Sequence, residues 1–133
     1  MPRARVSAGG RVEWFGDEVE AAVTEAVSKR LDKAAIMVAE SAKASMLEPK
    51  SGASMGEFTR RSAPGEAPAS QHGEAGLLGS VTWDAPLDLE RRVGTNLEYG
   101  RELEEGTVHK KARPWLEAAL MRERSAIRRM FGR

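Results

Sequence analysis

From Val19 to Met46 the chain places an apolar residue every three or four positions, at Val19, Val23, Val27, Leu31, Ala34, Val38, Ala42 and Met46, until Pro49 ends the series. That spacing keeps one face of an α-helix apolar. Proline closes it, because it lacks an amide hydrogen and clashes with the preceding turn. A Gly16-Asp17 turn ahead of the stripe is suited to deliver an N-cap. The predicted helix has about 32 residues and, at ~1.5 Å per residue, spans about 48 Å. A compact chain of this length has a radius of gyration near ~14 Å and a diameter of about 36 Å. The helix therefore outreaches the core its own chain can build. A neighbouring subunit is the natural cover for the excess, although a kink or fraying at Ser41 to Ser45 would shorten it instead.

The remaining residues must supply that core. A hydrophobic content of 41% in 133 residues suffices for one modest domain, residues 1–133. Twenty-one basic residues against 20 acidic ones leave no whole-molecule field to draw the chain onto nucleic acid or an anionic membrane. With no cysteine there is neither a disulfide framework nor a thiolate metal site, which agrees with synthesis in a reducing cytoplasm. The longest run without charge, Ala75 to Trp83, is less than half a bilayer span, so no membrane contact is expected. Residues 1–10 have the charges of a signal peptide but no apolar stretch behind them, and read as an extended arm.

Arg11 to Phe15 reads as a short strand. Residues 50–76 hold five glycines and two prolines with scarcely any large apolar side chains, the composition of a long flexible loop. Beyond it Leu77, Val81 and Trp83 share a parity, as do Leu87, Leu89, Val93, Thr95 and Leu97, with Ala85-Pro86 as the turn of a hairpin. Arg91 interrupts the apolar face, suggesting an edge, a bulge or a reach into a subunit contact. Tyr99 and Leu103 stand one helical turn apart, and Gly106 sits where a helix stops. Pro114 is placed to open a last helix with Leu116, Leu120, Ile127 and Met130 on one side. The predicted fold is α+β. A small antiparallel sheet, from residues near 11–15, 77–84 and 87–97, is covered on one face by the long first helix and the C-terminal helix.

Two stretches resemble a known family. The order Val93-Gly-x-Asn-x-x-Tyr99-Gly-x-x-Leu103-Glu104-x-Gly106-Thr, followed by Ala112-Arg113-Pro114-Trp115-Leu116, is similar to the head-tail joining proteins of long-tailed bacteriophages, the neck or tail-completion family. The segment around Pro64-Gly65-Glu66-Ala-Pro68 resembles a second element of that family, with Ala75 standing where threonine is common. The resemblance implies a structural ring subunit that joins the DNA-filled capsid to the tail. Six copies are the first choice and twelve the second. The implied place is the virion's head-tail junction, with synthesis in the bacterial host cytoplasm, and the tail-terminator position is the close alternative. It further implies that Tyr99, Leu103, Gly106 and Pro114 fix the local scaffold and that Leu116 and Leu120 dock the last helix. Glu104, at the family's acidic position, would orient the turn ending at Gly106. Pro64, Gly65, Glu66 and Pro68 would form a docking arm that orders only against a neighbour. The implied partners are further copies of the chain, adjacent neck and tail proteins, and double-stranded DNA passing without sequence recognition.

Other chemistries find less support. Arg122, Arg124, Arg128, Arg129 and Arg133 could meet phosphates, as in a small sequence-independent DNA-binding module. The plainer account is a helix end whose cations complement its dipole. His72 and His109 lack the further ligands a zinc site needs and the oriented partner a general base needs. Glu102 and Glu105 share a helix face that Glu104 does not, which suits a solvated surface or salt bridges to Lys110, Lys111 and Arg113 of a neighbour. Trp14, Phe15, Trp83, Tyr99 and Trp115 are mostly core anchors, and the glycines follow no phosphate-binding pattern. No cofactor, metal or catalytic set is expected, and no enzyme.

Overall fold

The computed structural model describes residues 4–6, 12–14, 16–52, 61–69 and 76–132. The rest of the N-terminal arm, Phe15, His72, Arg133 and much of the 50–76 loop lie outside them. A hairpin comes first: β1 (Ala4–Val6) pairs antiparallel with β2 (Val12–Trp14), Ala4 opposite Trp14. Helix α1 (Gly16–Leu47) follows, 32 residues long as the stripe predicts, with Asp17 and Glu18 in its first turn where they complement the dipole. It runs unbroken through Ser41 to Ser45. At its end Lys50 donates to the Ser45 carbonyl at 2.7 Å, satisfying an orphan acceptor just past the chain-stopping Pro49.

A single helical turn, α2 (Leu77–Ser80), leads into strand β3 (Thr82–Leu87), which pairs antiparallel with β4 (Glu90–Gly94). Residues 77–80 are thus helical where a strand was expected. The hairpin also turns at Asp88-Leu89 instead of Ala85-Pro86. The ladder runs in register from Thr82 opposite Gly94 to Asp84 opposite Arg92, then shifts before Leu87 opposite Glu90. Ala85 and Pro86 occupy that irregularity, where a proline's missing donor breaks no ladder bond. Strand β4 also stops at Gly94. Thr95 turns away, and its hydroxyl lies 2.5 Å from that of Ser80 and accepts the Leu97 amide at 3.1 Å.

Helix α3 (Glu98–Glu105) and helix α4 (Glu117–Met130) complete the chain. The fold is α+β, with α1, the β3-β4 ribbon and α4 packed together. The two hairpins form separate sheets, so the single three-stranded sheet is corrected to two ribbons. The core gathers Val38, Ala39, Ala42 and Met46 of α1 with Leu77, Val81, Trp115 and Ala119. Small buried side chains in this core, Ala39 and Ala42 of α1 and Ala119 of α4, suit a close approach of the two packed helices. Leu87 and Leu89, at 65% and 58% exposed, project from the hairpin tip instead of facing the core.

Candidate assembly interface

The stretch from Tyr99 to Leu116 folds into one interlocked unit whose centre is Glu104. Helix α4 begins at Glu117, three residues after Pro114, and its N-cap position is Leu116, a residue with no side-chain acceptor. Glu104 supplies what Leu116 lacks. One carboxylate oxygen accepts the amides of Trp115 at 2.7 Å and Leu116 at 2.9 Å, and the other accepts Glu117 at 2.8 Å. Three otherwise orphaned donors and the positive end of the helix dipole thus meet one negative group. The partners of Glu104 are thus the amides at the start of α4, not the turn that ends at Gly106.

The neighbours of Glu104 serve the same joint. Trp115, the largest fully buried side chain at 2% exposure, donates its indole N–H to the Gly100 carbonyl at 2.8 Å. A Cβ at Gly100 would lie 2.5 Å from the Thr95 methyl and 3.0 Å from a Leu77 methyl, so a larger residue there would have to push those side chains aside. Gly106 ends α3 with φ +80 and ψ 169 and donates to the Glu102 carbonyl at 2.8 Å. Its φ is positive, as expected of a helix stop, but its ψ lies outside the left-handed helical region, in territory nearly restricted to glycine. A Cβ there would also meet the Ala112 amide nitrogen at 2.9 Å. Arg113 crosses back, its amide donating to the Leu103 carbonyl at 2.6 Å and its Nε to the Ser62 carbonyl at 3.1 Å. Leu103 and Leu116 pack at the core's edge, whereas Tyr99 is 40% exposed and not a core anchor.

The Pro-Gly-Glu-x-Pro loop docks on its own chain. Ala63-Pro64-Gly65-Glu66 forms a turn closed by the Glu66 amide on the Ala63 carbonyl at 3.0 Å, with Gly65 at φ +89, the pattern of a type II turn. The Gly65 amide donates to the Ala112 carbonyl at 3.0 Å, Pro68 is buried, and the Gly52 amide donates to Arg61 at 2.9 Å. Ser51 donates to the Glu66 carboxylate through its hydroxyl and its amide. The hydroxyl bond, foremost, holds the Glu66 carboxyl below its ordinary range, while burial pushes the Lys50 ammonium down against the pull of Glu66 and Glu48. Residues 61–69, expected to form a docking arm, make backbone bonds to Gly52 and Ala112 of their own subunit.

Arg91 reaches α1 of its own subunit. Its Nε donates to Asp32 at 2.6 Å, one terminal nitrogen to the Ser28 hydroxyl at 2.5 Å, and the other to the carbonyls of Leu87, Asp88 and Glu90. The guanidinium, in a side chain only 7% exposed, pins the hairpin turn to the middle of the helix. N-terminal to that pin, from Asp17 to Arg30, α1 has no buried residue, and Val23 is 48% exposed. The apolar stripe outruns its core, as its length predicts.

Two concavities flank the unit. An open cleft of about 820 Å³ lies between Tyr99 and Leu103 of α3, Pro68 and the basic turn of His109, Lys110 and Lys111. A groove of about 460 Å³ between α1, β4 and α4 is lined mainly by Leu31, Ala34, Val38, Val93, Leu120 and Ile127. On α4 Arg122 is tied to Ser41 at 3.1 and 3.2 Å, and Arg128 and Arg129 occupy the last turn, where cations complement the dipole. Arg124, Arg128 and Arg129 are exposed and have no hydrogen-bond or ion-pair partner among the described residues. Glu105 pairs with Arg101 at 3.2 Å, and His109 is exposed beside Thr107. Among the described residues no group of acidic or imidazole side chains could hold a metal, and no helix is long and apolar enough to cross a membrane.

Sequence reasoning missed the role of Arg91, whose helix partners lie 59 and 63 positions away. It also missed the target of Glu104, though one signal was present: no Ser, Thr, Asp or Asn stands at positions 114–116, so a helix starting there needs a cap from elsewhere. In comparison with known proteins, no family, no curated protein and no solved structure matches this chain.

Proposed function

We propose that the chain is a structural subunit of a bacteriophage neck or tail-completion ring, joining capsid to tail, with six copies as the first choice and twelve as the second. The tail-terminator position is the alternative place for the same ring. The observation that carries the reading is the division of α1: between Ala34 and Met46 one face is buried, whereas the apolar stripe before it has no buried residue. A subunit that closes a ring by head-to-tail contacts must keep such a surface open until assembly. The residues that carry the family resemblance support the same view. Gly100, Leu103, Glu104, Gly106, Arg113 and Trp115 are all engaged in holding α3 to α4, which is scaffold work and not chemistry.

A second reading, a sequence-independent DNA-binding module, rests on the exposed Arg124, Arg128 and Arg129. Antibody labelling of particles from the lysate of the strain carrying the gene separates the two. Label at one capsid vertex or at the head-proximal end of detached tails is expected of the ring subunit. Unlabelled particles, together with a monomer that retards duplex DNA at moderate salt, would overturn it in favour of the DNA-binding module.

A further inference from the structure

We infer that the ring contact is made by the N-terminal half of α1 of one copy, lying along the exposed face of α4 and the mouth of the adjoining groove of the next. This rests on the ring reading and names the surfaces that would close it.

The first ground is the direction of the stripe. At 100° per residue, the buried positions Ala34, Ala35, Val38, Ala39, Ala42 and Met46 fall in one sector of α1. Val19, Val23 and Val27 centre roughly 90° away from it, because a strict four-residue step drifts around a 3.6-residue helix. Val19 and Val23 therefore lie outside the sector that the second half buries, and Val27 falls at its edge. A partner other than its own core fits them.

The second ground is the receiving face. Leu120, Met121, Arg124 and Arg128 fall within about 100° on α4, and Phe131 follows at its C-terminal cap. Leu120, Met121 and Phe131 are exposed apolar side chains, and Leu120 also forms the lip of the groove that Leu31, Val93 and Ile127 line. Charge is complementary. Between Gly16 and Ser28 the donor segment has four acidic side chains and no basic one, and α4 has four arginines against two glutamates. Glu20 borders the valine ridge, and Arg124 sits at the centre of the receiving face, both exposed. Lengths agree too: Gly16 to Val27 spans ~18 Å and α4 ~21 Å. Because donor and receiver are different surfaces of one chain, the contact is heterologous, the kind that closes into a ring when its rotation allows.

The absence of cysteine makes the test clean. Two single-cysteine proteins, Val23→Cys and Leu120→Cys, are mixed at up to millimolar concentration under mild oxidation, with sedimentation of the unmodified chain in parallel. The expected result is a mixed disulfide formed at least tenfold faster than either like-with-like pair. Arg124→Glu in the Leu120→Cys protein should suppress it about tenfold, and Glu20→Lys in the Val23→Cys protein should restore it. Self-association without the mixed disulfide would overturn these surfaces and leave the ring reading standing. Absence of both association and disulfide would overturn the inference as well, and the ring reading would then rest on copies counted in particles.

Discussion

A carboxylate that accepts three consecutive amides does for a helix start what a serine usually does, with a full charge facing the dipole. Replacing Glu104 by alanine leaves the amides of Trp115, Leu116 and Glu117 without their partner beside a buried tryptophan. The expected cost is about 2 kcal/mol, since hydrogen bonds to charged groups contribute ~1.5–3 kcal/mol. Thermal melting should register a fall of roughly 6–10 °C, with Glu104→Gln intermediate because it keeps one acceptor oxygen. Two glycines are committed for different reasons. Gly100→Ala fails for want of space, with a new methyl carbon 2.5 Å from that of Thr95, whereas Gly106→Ala fails on both space and backbone conformation. Each should lower stability by ~1–3 kcal/mol in urea titration, while alanine at Gly94, where a Cβ meets nothing within 4 Å, should be nearly neutral. Glu66 adds a pH dependence. Its carboxyl is held below its ordinary range chiefly by the Ser51 hydroxyl, so its contribution is present above the unfolded value and lost as pH falls through the lower folded one. Protease cleavage at Arg61 should therefore accelerate on acidification below the usual carboxylate range, and Ser51→Ala should remove that dependence.

Among the elements, α1 is two helices in one. Its C-terminal half is held by core burial and its N-terminal half is fastened at Ser28 and Asp32 by Arg91. Arg91→Met keeps the aliphatic stem and removes the bonds, at a cost of about 1–2 kcal/mol because Asp32 is partly exposed to water. Hydrogen exchange should speed up mainly before Asp32 and little after Ala34. Uniform acceleration along the helix would contradict the pinned-segment description. The helix itself was legible because a three-to-four spacing admits one secondary structure. The β3-β4 turn was not. Ala85-Pro86 looks like turn chemistry, and only the ladder, shifted between Asp84 and Leu87, shows that a proline can sit in the irregularity. The start of α4 was misread for a related reason: Pro114 is a common opener, but the helix begins where the Glu104 carboxylate gathers the amides, at a sequence separation no local rule scans.

Over the whole molecule, the interior is built largely from one half of α1, α4 and the turns between them, and much apolar surface stays outside it. Val23, Leu120, Met121 and Phe131 are exposed on two helices, and the groove between α1, β4 and α4 opens beside one of them. The α+β architecture was readable from periodicity. The joint built by the Tyr99 to Leu116 residues was readable as a scaffold but not in its wiring, since partners 10 to 60 residues apart are chosen by packing and not by local spacing. The self-docking of Pro64 to Pro68 was hidden by composition: a segment with no large apolar side chains can still be placed by backbone bonds, here to Ala112 and Ser62. The proposed role turns on copy number. Counting the protein in purified particles against isotope-labelled peptides, normalised to genomes, should give six copies per particle or, as the second choice, twelve; a single copy, or none, would contradict the ring.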